Sequence, residues 1–367
     1  MHSEVAQLFR YSLGFIAAIS FVACLCIIAL AQVFPWLCGR RDDENAVQSM
    51  HSRPTPRIGG VAIFFTLALG VVFAPTTIVQ SYLGVIIATT LLFLVGLSED
   101  LGFRVSPRRR LLAVCVASLV VIVLLGVWLP RISMPYFDLL MQYWIVGVPF
   151  TLLITAGVAN GFNLIDGVNG LAALTAIGAS VSIALISLQA GYDTMAMVSM
   201  MLAAVIFGFF LVNFPFGIIF LGDAGAYTIG FVLSWFGIAV LIDSSQVSAW
   251  AILLTLFWPL ADTVFAIYRR SRSKKDAMAP DRLHFHQLVM RGLEICILGR
   301  KRRRIANPLT TLVLAPFVIA PQVCGVLLWD HNRAAFFTVL AFLAVFIASY
   351  LVAVPAIRAC RQRPQEA

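Results

Sequence analysis

Apolar residues run along this chain in blocks of roughly twenty, long enough to cross a bilayer as helices, with short polar islands between them. Windows read from the N-terminus fall near Tyr11–Leu37, Ile58–Ala74, Tyr82–Leu97, Leu111–Leu129, Tyr143–Ala159 and Gly170–Leu188. Five more follow near Thr194–Val212, Ala226–Ile242, Ala249–Tyr268, Leu309–Trp329 and Ala334–Ala356. Inside hydrocarbon a backbone has no water to bond, so each block must satisfy its own amides as a helix. The pattern predicts an all-α, polytopic integral membrane protein with about eleven transmembrane helices.

Composition removes the soluble alternative. With 61% hydrophobic and 12% charged residues and a mean hydropathy of +0.95, the 367 residues cannot hide their apolar surface in a water-soluble core. The first block is too long for a signal-peptide core and lacks a small-residue cleavage pattern, so it is expected to be retained.

Charge then sets the orientation. All of the 26 Lys and Arg except Arg10, Arg131 and Arg333 lie after the first, third and ninth blocks or in the C-terminal tail. By the positive-inside rule the N-terminus is expected outside and the C-terminus in the cytoplasm. The net charge of +9 is then explained by topology and anionic membrane lipids, and no nucleic-acid partner is expected. The seven cysteines form no CxxC pair, and neither a disulfide framework nor a metal site is expected from them.

The islands on the cytoplasmic side carry the chemistry. Asn160 to Ala172, NGFNLIDGVNGLA, packs amides, glycines and Asp166 between two apolar blocks. These are also ordinary turn residues, but at a membrane edge they form a place where a polar substrate can be met. Ser98 to Arg110 begins with Glu99 and Asp100, adjacent carboxylates that need a cation or a protonated partner, and are candidates for metal contact or general-base work. In Asn213 to Gly230, Gly222 and Gly225 flank Asp223 at the start of an apolar helix, where exposed amides and the positive end of the dipole suit a phosphate. An Asp beside a phosphate implies a bridging cation, and Mg²⁺ takes this oxygen ligation, although Asp223 could also serve as a simple N-cap.

Three further positions complete the inventory. Pro56 to Gly60 lies in a rigid stretch, His51 to Gly60, that carries Arg57. Asp262 sits inside or at the edge of an apolar block, where an ionisable residue suggests function and a hydrogen-bonded structural role fits equally well. In Pro280 to Gln287, PDRLHFHQ, the residues Arg282, His284 and His286 suit contact with phosphate oxygens better than zinc, because no third nitrogen or sulfur ligand is near in sequence. With the chemistry all on one side, an enzyme is favoured over a transporter.

In this order, TPRIGG, Glu99–Asp100, NGFNLIDGVNGLA, FLGDAGAYTIGF and PDRLHFHQ resemble the motifs of the polyprenyl-phosphate N-acetylhexosamine-1-phosphate transferases, glycosyltransferase family 4. That family includes the undecaprenyl-phosphate GlcNAc-1-phosphate transferases and the phospho-MurNAc-pentapeptide transferase of peptidoglycan synthesis. The resemblance implies one transmembrane catalytic domain over residues 1–367, with loops 38–57, 98–110, 160–169, 213–225 and 269–308 forming the site. The activity it implies is a Mg²⁺-dependent (alternatively Mn²⁺-dependent) transfer of a sugar 1-phosphate from a UDP-sugar to polyprenyl phosphate. That reaction releases UMP and initiates a cell-surface glycan at the cytoplasmic face of a bacterial inner membrane.

Residue by residue, the resemblance implies catalytic roles for Glu99, Asp100, Asp166, His284 and His286, and metal ligation by Asp223 and Asp166. It assigns substrate contacts to Arg57, Asn160, Asn163, Asn169, Asn213, Gly222 and Arg282. Glu99 stands where the family usually has Asp, Asn169 where it often has Asp, and Gln287 where it often has a third His. A homodimer is compatible with the resemblance. Two other classes stay open: a transporter of lipid-linked or nucleotide sugars, and an inactive relative acting as an assembly partner.

Overall fold

The computed structural model describes residues 2–34, 37, 55–74, 76–103, 105–272, 283–299 and 302–362. Among them there are helices and connecting turns and no strand. In chain order the helices are α1 His2–Val33, α2 Gly59–Val72, α3 Thr76–Asp100, α4 Pro107–Leu125, α5 Pro135–Met141, α6 Trp144–Ile165 and α7 Leu171–Gln189. They continue as α8 Asp193–Asn213, α9 Gly222–Asp243, α10 Ala249–Thr255, α11 Phe257–Arg272, α12 Phe285–Gly292, α13 Arg303–Leu327 and α14 Asn332–Gln362. A π-helical turn, Leu293–Leu298, follows α12 directly.

Eight of the described helices are long and apolar enough to cross a membrane, or nine if the bent pair α10–α11 is one span. The protein is therefore a multi-pass membrane protein. The windows near Ile58–Ala74 and Leu111–Leu129 fall on helices outside that set. One is α2, whose 14 residues span about 21 Å, short of a ~30 Å hydrocarbon core. The other is α4, whose first turn carries Arg108, Arg109 and Arg110.

The centre of the bundle is α9, in which every residue from Ala224 to Leu241 except Ala239 is buried. It packs against α2, α3, α6, α7 and α8. Lipid is as apolar as a leucine side chain, so close backbone approach does the work that hydrophobic burial does in water. A Cβ on Gly96 of α3 would lie 2.5 Å from the Ala224 Cα, and one on Gly230 would lie 2.6 Å from the Ala159 Cα of α6. Buried hydroxyls are satisfied across or within helices, as where Ser118 of α4 meets Thr155 of α6 at 2.7 Å.

One expected span is broken. The block Ala249–Tyr268 reads as a single helix, yet α10 and α11 meet at 85°. Pro259 has no N–H to return to the Thr255 carbonyl four residues back. The side chain of Gln322, buried in α13, takes over that carbonyl through Nε2 at 3.3 Å and also reaches the Thr175 carbonyl at 3.0 Å.

Candidate active site

The site is built on the first turn of α9. Its leading amides have no helical partner and carry the positive end of the helix dipole. Asp166, just past the end of α6, accepts from the Gly222 N–H at 3.2 Å. Asp100, the last residue of α3, accepts from the Asp223 and Ala224 N–H groups, one oxygen each, both at 2.8 Å. The amides that the sequence offers to a phosphate are thus taken by two carboxylates, and Asp100 provides the cap that Asp223 was a candidate to provide. Gly222 has φ +73, and a Cβ there would run into the Arg57 carbonyl and sit 2.7 Å from Oδ2 of Asp100.

The TPRIGG segment lies along the chain that leads into α9. Phe220 N–H donates to the Pro56 carbonyl, Gly59 N–H to Phe220 and Gly60 N–H to Leu221, each at 2.8 Å. This brings the Arg57 charge to Asp100 and Asp166. The pKa of Asp166 is pushed up to about 8 because its carboxyl is enclosed by protein, even though Arg57 and the Gly222 amide oppose the shift. Residues 51–54 of the motif lie outside the described residues.

Asp223 points away from its own helix turn into a polar cluster. Its Oδ1 accepts from Asn163 Nδ2 at 2.7 Å, and its Oδ2 forms an ion pair with Arg110. The Arg110 guanidinium also lies 6.0 Å from the centre of the Tyr227 ring, and the Tyr227 hydroxyl reaches Asn160 Oδ1 at 3.5 Å. Arg110 is a member of this cluster that the sequence motifs do not single out. It is one of three consecutive arginines in the first turn of α4, and such a basic run at the end of an apolar block is expected for topology alone. Glu99 is partnered too: Oε2 accepts from the Val105 N–H at 2.5 Å and shapes the turn between α3 and α4.

Asn169 and Asn213 are buried and bonded to backbone. Asn213 Oδ1 accepts from Gly170 N–H at 2.5 Å, and its Nδ2 donates to the Ile219 carbonyl at 2.6 Å. Asn169 donates through Nδ2 to the Pro215 carbonyl at 2.8 Å. Its backbone is held by Asn307 and Thr311 of α13, at 2.8 and 2.6 Å. These amides fasten the island at 160–172 to the approach to α9, which positions the site's carboxylates.

The histidines form a second cluster. Nδ1 of His284 lies 2.9 Å from Oδ2 of Asp262, and the Phe285 N–H donates to Oδ1 of the same carboxylate at 3.1 Å. His286 Nδ1 is 3.9 Å from Oδ2. Both rings are buried and stack with centroids 5.8 Å apart. The pKa of His286 falls to about 4, mainly through burial and against the pull of Asp262, so this ring is neutral. Arg282 lies outside the described residues. The cluster is linked to the rest of the site through helix packing: α11 lies against α6, which Asp166 follows, and α12 against α13, which holds Asn169.

A hard divalent cation suits this chemistry in one form only. Among the described residues no three His, Cys, Asp or Glu side chains are grouped to hold a metal. The described residues thus offer no all-protein cage, while one or two carboxylates completed by substrate phosphates is the usual way to hold Mg²⁺. Asp223 and Asp166, the two carboxylates beside the first turn of α9, suit that pattern by the chemistry of their oxygens.

Together these features define a membrane-embedded protein with a carboxylate-lined polar site at one end of its bundle. A sequence profile of glycosyl transferase family 4 matches residues 82–241. The chain is 30% identical over 250 residues to a probable undecaprenyl-phosphate N-acetylglucosaminyl 1-phosphate transferase of Bacillus subtilis, covering 68% of this chain and 69% of the relative. It is 26% identical over 303 residues to the undecaprenyl-phosphate α-N-acetylglucosaminyl 1-phosphate transferase of Yersinia pestis, covering 80% and 77%. A decaprenyl-phosphate N-acetylglucosaminephosphotransferase of Mycolicibacterium smegmatis is 24% identical over 341 residues, covering 85% and 80%. The chain belongs to glycosyl transferase family 4.

Proposed function

We propose that this protein transfers an N-acetylhexosamine 1-phosphate from a UDP-sugar to a polyprenyl phosphate, releasing UMP and leaving a polyprenyl-diphosphate-linked sugar. The observation that carries this reading is the meeting of Asp100, Asp166 and Asp223 with Arg57 and Arg110 at the first turn of α9. Segments distant in sequence converge there with the mixture of carboxylates and cations that diphosphate chemistry uses. The names carried by the relatives support the acceptor and the sugar phosphate. We read the chain as crossing an inner membrane about eleven times, N-terminus outside, with the site on the cytoplasmic face that its Lys and Arg mark.

In this reading an oxygen of the lipid phosphate attacks the β-phosphorus of the UDP-sugar. The bond from that phosphorus to the oxygen bridging it to the α-phosphorus breaks, and the electron pair leaves with UMP. Asp223 and Asp166 would hold Mg²⁺, or Mn²⁺, which when bound would supply positive charge for the diphosphate. Arg57 and Arg110 add fixed charge beside it, and Asn160 and Asn163 line the same end of α6. Asp100 keeps the α9 turn in register, and Glu99 shapes the adjoining turn where the acceptor phosphate arrives. His284 and His286 are assigned to contact with the phosphate or sugar. Positioning and charge neutralisation supply most of the rate in such transfers.

The test is UMP release by the purified protein in detergent with polyprenyl phosphate, Mg²⁺ and a panel of UDP-N-acetylhexosamines. Release that requires both lipid and metal is expected and identifies the sugar. Silence across the panel in folded protein would contradict the reading.

A further inference from the structure

Asp262 belongs to no motif used above, yet it is the polar centre of the second cluster. It is 2% exposed within an apolar helix. Its polar contacts are the Nδ1 of His284, the backbone N–H of Phe285 and the more distant Nδ1 of His286. A buried ionised carboxylate is costly unless its partners serve a purpose or replace its water. Three buried ring nitrogens, Nε2 of His284 and both nitrogens of His286, have no hydrogen-bond partner among the described residues. Buried polar atoms are nearly always paired, so unpaired atoms in one cluster point to a ligand that completes them.

We propose that Asp262 is a positioning residue for the transfer reaction. By accepting the Nδ1 proton of His284 it fixes the tautomer and ring orientation, which leaves Nε2 as the ring atom that meets the substrate. The Phe285 amide holds the second oxygen of the carboxylate, so the carboxylate cannot rotate away and the spacing of the two imidazoles is set from one point. The bend before Pro259 serves this arrangement. It turns α11 so that Asp262 faces the start of α12, where Trp258 and Phe346 clamp the Phe285 ring at 5.4 and 5.1 Å. In this tautomer Nε2 is an acceptor, so the group it meets is a hydroxyl or amide N–H on the sugar of the donor, and in this respect the inference rests on the proposed function.

The experiment compares wild type with Asp262→Asn and Asp262→Glu in detergent, by thermal unfolding, UMP-release kinetics and ¹⁵N shifts of labelled histidine. An Asn can still accept from Phe285, but its amide donates to Nδ1 and forces the proton of His284 onto Nε2. The expected result for Asp262→Asn has three parts: an unfolding midpoint within about 5 °C of wild type, a switched His284 tautomer, and a kcat lower by about a hundredfold with KM within about threefold. Asp262→Glu should restore the tautomer and part of kcat. An unchanged tautomer in Asp262→Asn, or a switched tautomer with undiminished kcat, overturns the proposal. If wild type releases no UMP from any donor, the proposed function fails, and the tautomer comparison alone decides whether Asp262 orients His284.

Discussion

Asp100 holds the backbone of Asp223: one carboxylate oxygen accepts the Asp223 N–H and the other the Ala224 N–H, both at 2.8 Å. A side chain at the end of one helix thereby caps another and sets the direction in which Asp223 points. Asp100→Ala leaves both amides unpaired and is expected to cost about 2 kcal/mol, together with most of the activity. Asp100→Asn retains one acceptor and should recover part of the stability in thermal unfolding. Equal midpoints for Ala and wild type would contradict the cap.

Asp223 is the residue whose loss should be least tolerated. Its two oxygens engage Asn163 and Arg110, and it is the carboxylate proposed to meet the cation. Asp223→Ala is expected to lower turnover by at least about a thousandfold, the scale seen when one group stabilising a transition state is removed. Near-normal UMP release from this variant would remove Asp223 from the metal site.

Arg110 pairs with Oδ2 of Asp223, so in the proposed metal site it would compete with the cation for that carboxylate. Arg110→Gln should therefore lower the Mn²⁺ concentration needed for half-maximal thermal stabilisation by about tenfold, through mass action on the native state. An unaltered or raised concentration would show that the ion pair does not guard the metal position.

Gly96 lets α3 touch α9. An added Cβ would sit 2.5 Å from the Ala224 Cα and 2.7 Å from its nitrogen, both backbone atoms that cannot step aside. Gly96→Ala is expected to destabilise by about 3 kcal/mol and to disturb the amides that Asp100 caps. A midpoint equal to wild type would contradict that contact.

His286 makes stability depend on pH in a defined window. Its pKa falls from 6.5 to about 4 on folding. Between these values the unfolded chain binds a proton that the native state refuses, so stability is full above about pH 6.5 and is lost as pH falls toward 4. The loss is bounded at about 3 kcal/mol. His286→Gln should flatten the unfolding midpoint across this window, and an equally steep dependence would assign the effect to another group.

Much of this architecture is written in the apolar windows, because a bilayer imposes length and helicity on any segment that crosses it. Asp100, Asp166 and Asp223 stood out for a related reason: carboxylates at the ends of apolar blocks are rare enough to draw notice, and the structure brings the three together at the first turn of α9. The partnerships were not legible. That Asp100 caps α9 depends on how the chain brings together two residues 123 positions apart. Arg110 is hidden among neighbours whose topological role looks identical. Asn169 and Asn213 read as substrate contacts because amides suit nucleotides, but they suit loop carbonyls and amides equally well. The bend before Pro259 was invisible because membrane helices tolerate proline, and it was Gln322, far along the chain, that allowed the break.

In the proposed transfer the sugar travels with its phosphate. A donor carrying one isotope in the sugar and a second on the β-phosphate, incubated with polyprenyl phosphate and Mg²⁺, separates the alternatives. The account predicts both labels in the lipid phase in equal amount, with unlabelled UMP left in water. Sugar label in the lipid with the β-phosphate left behind in UDP would contradict it.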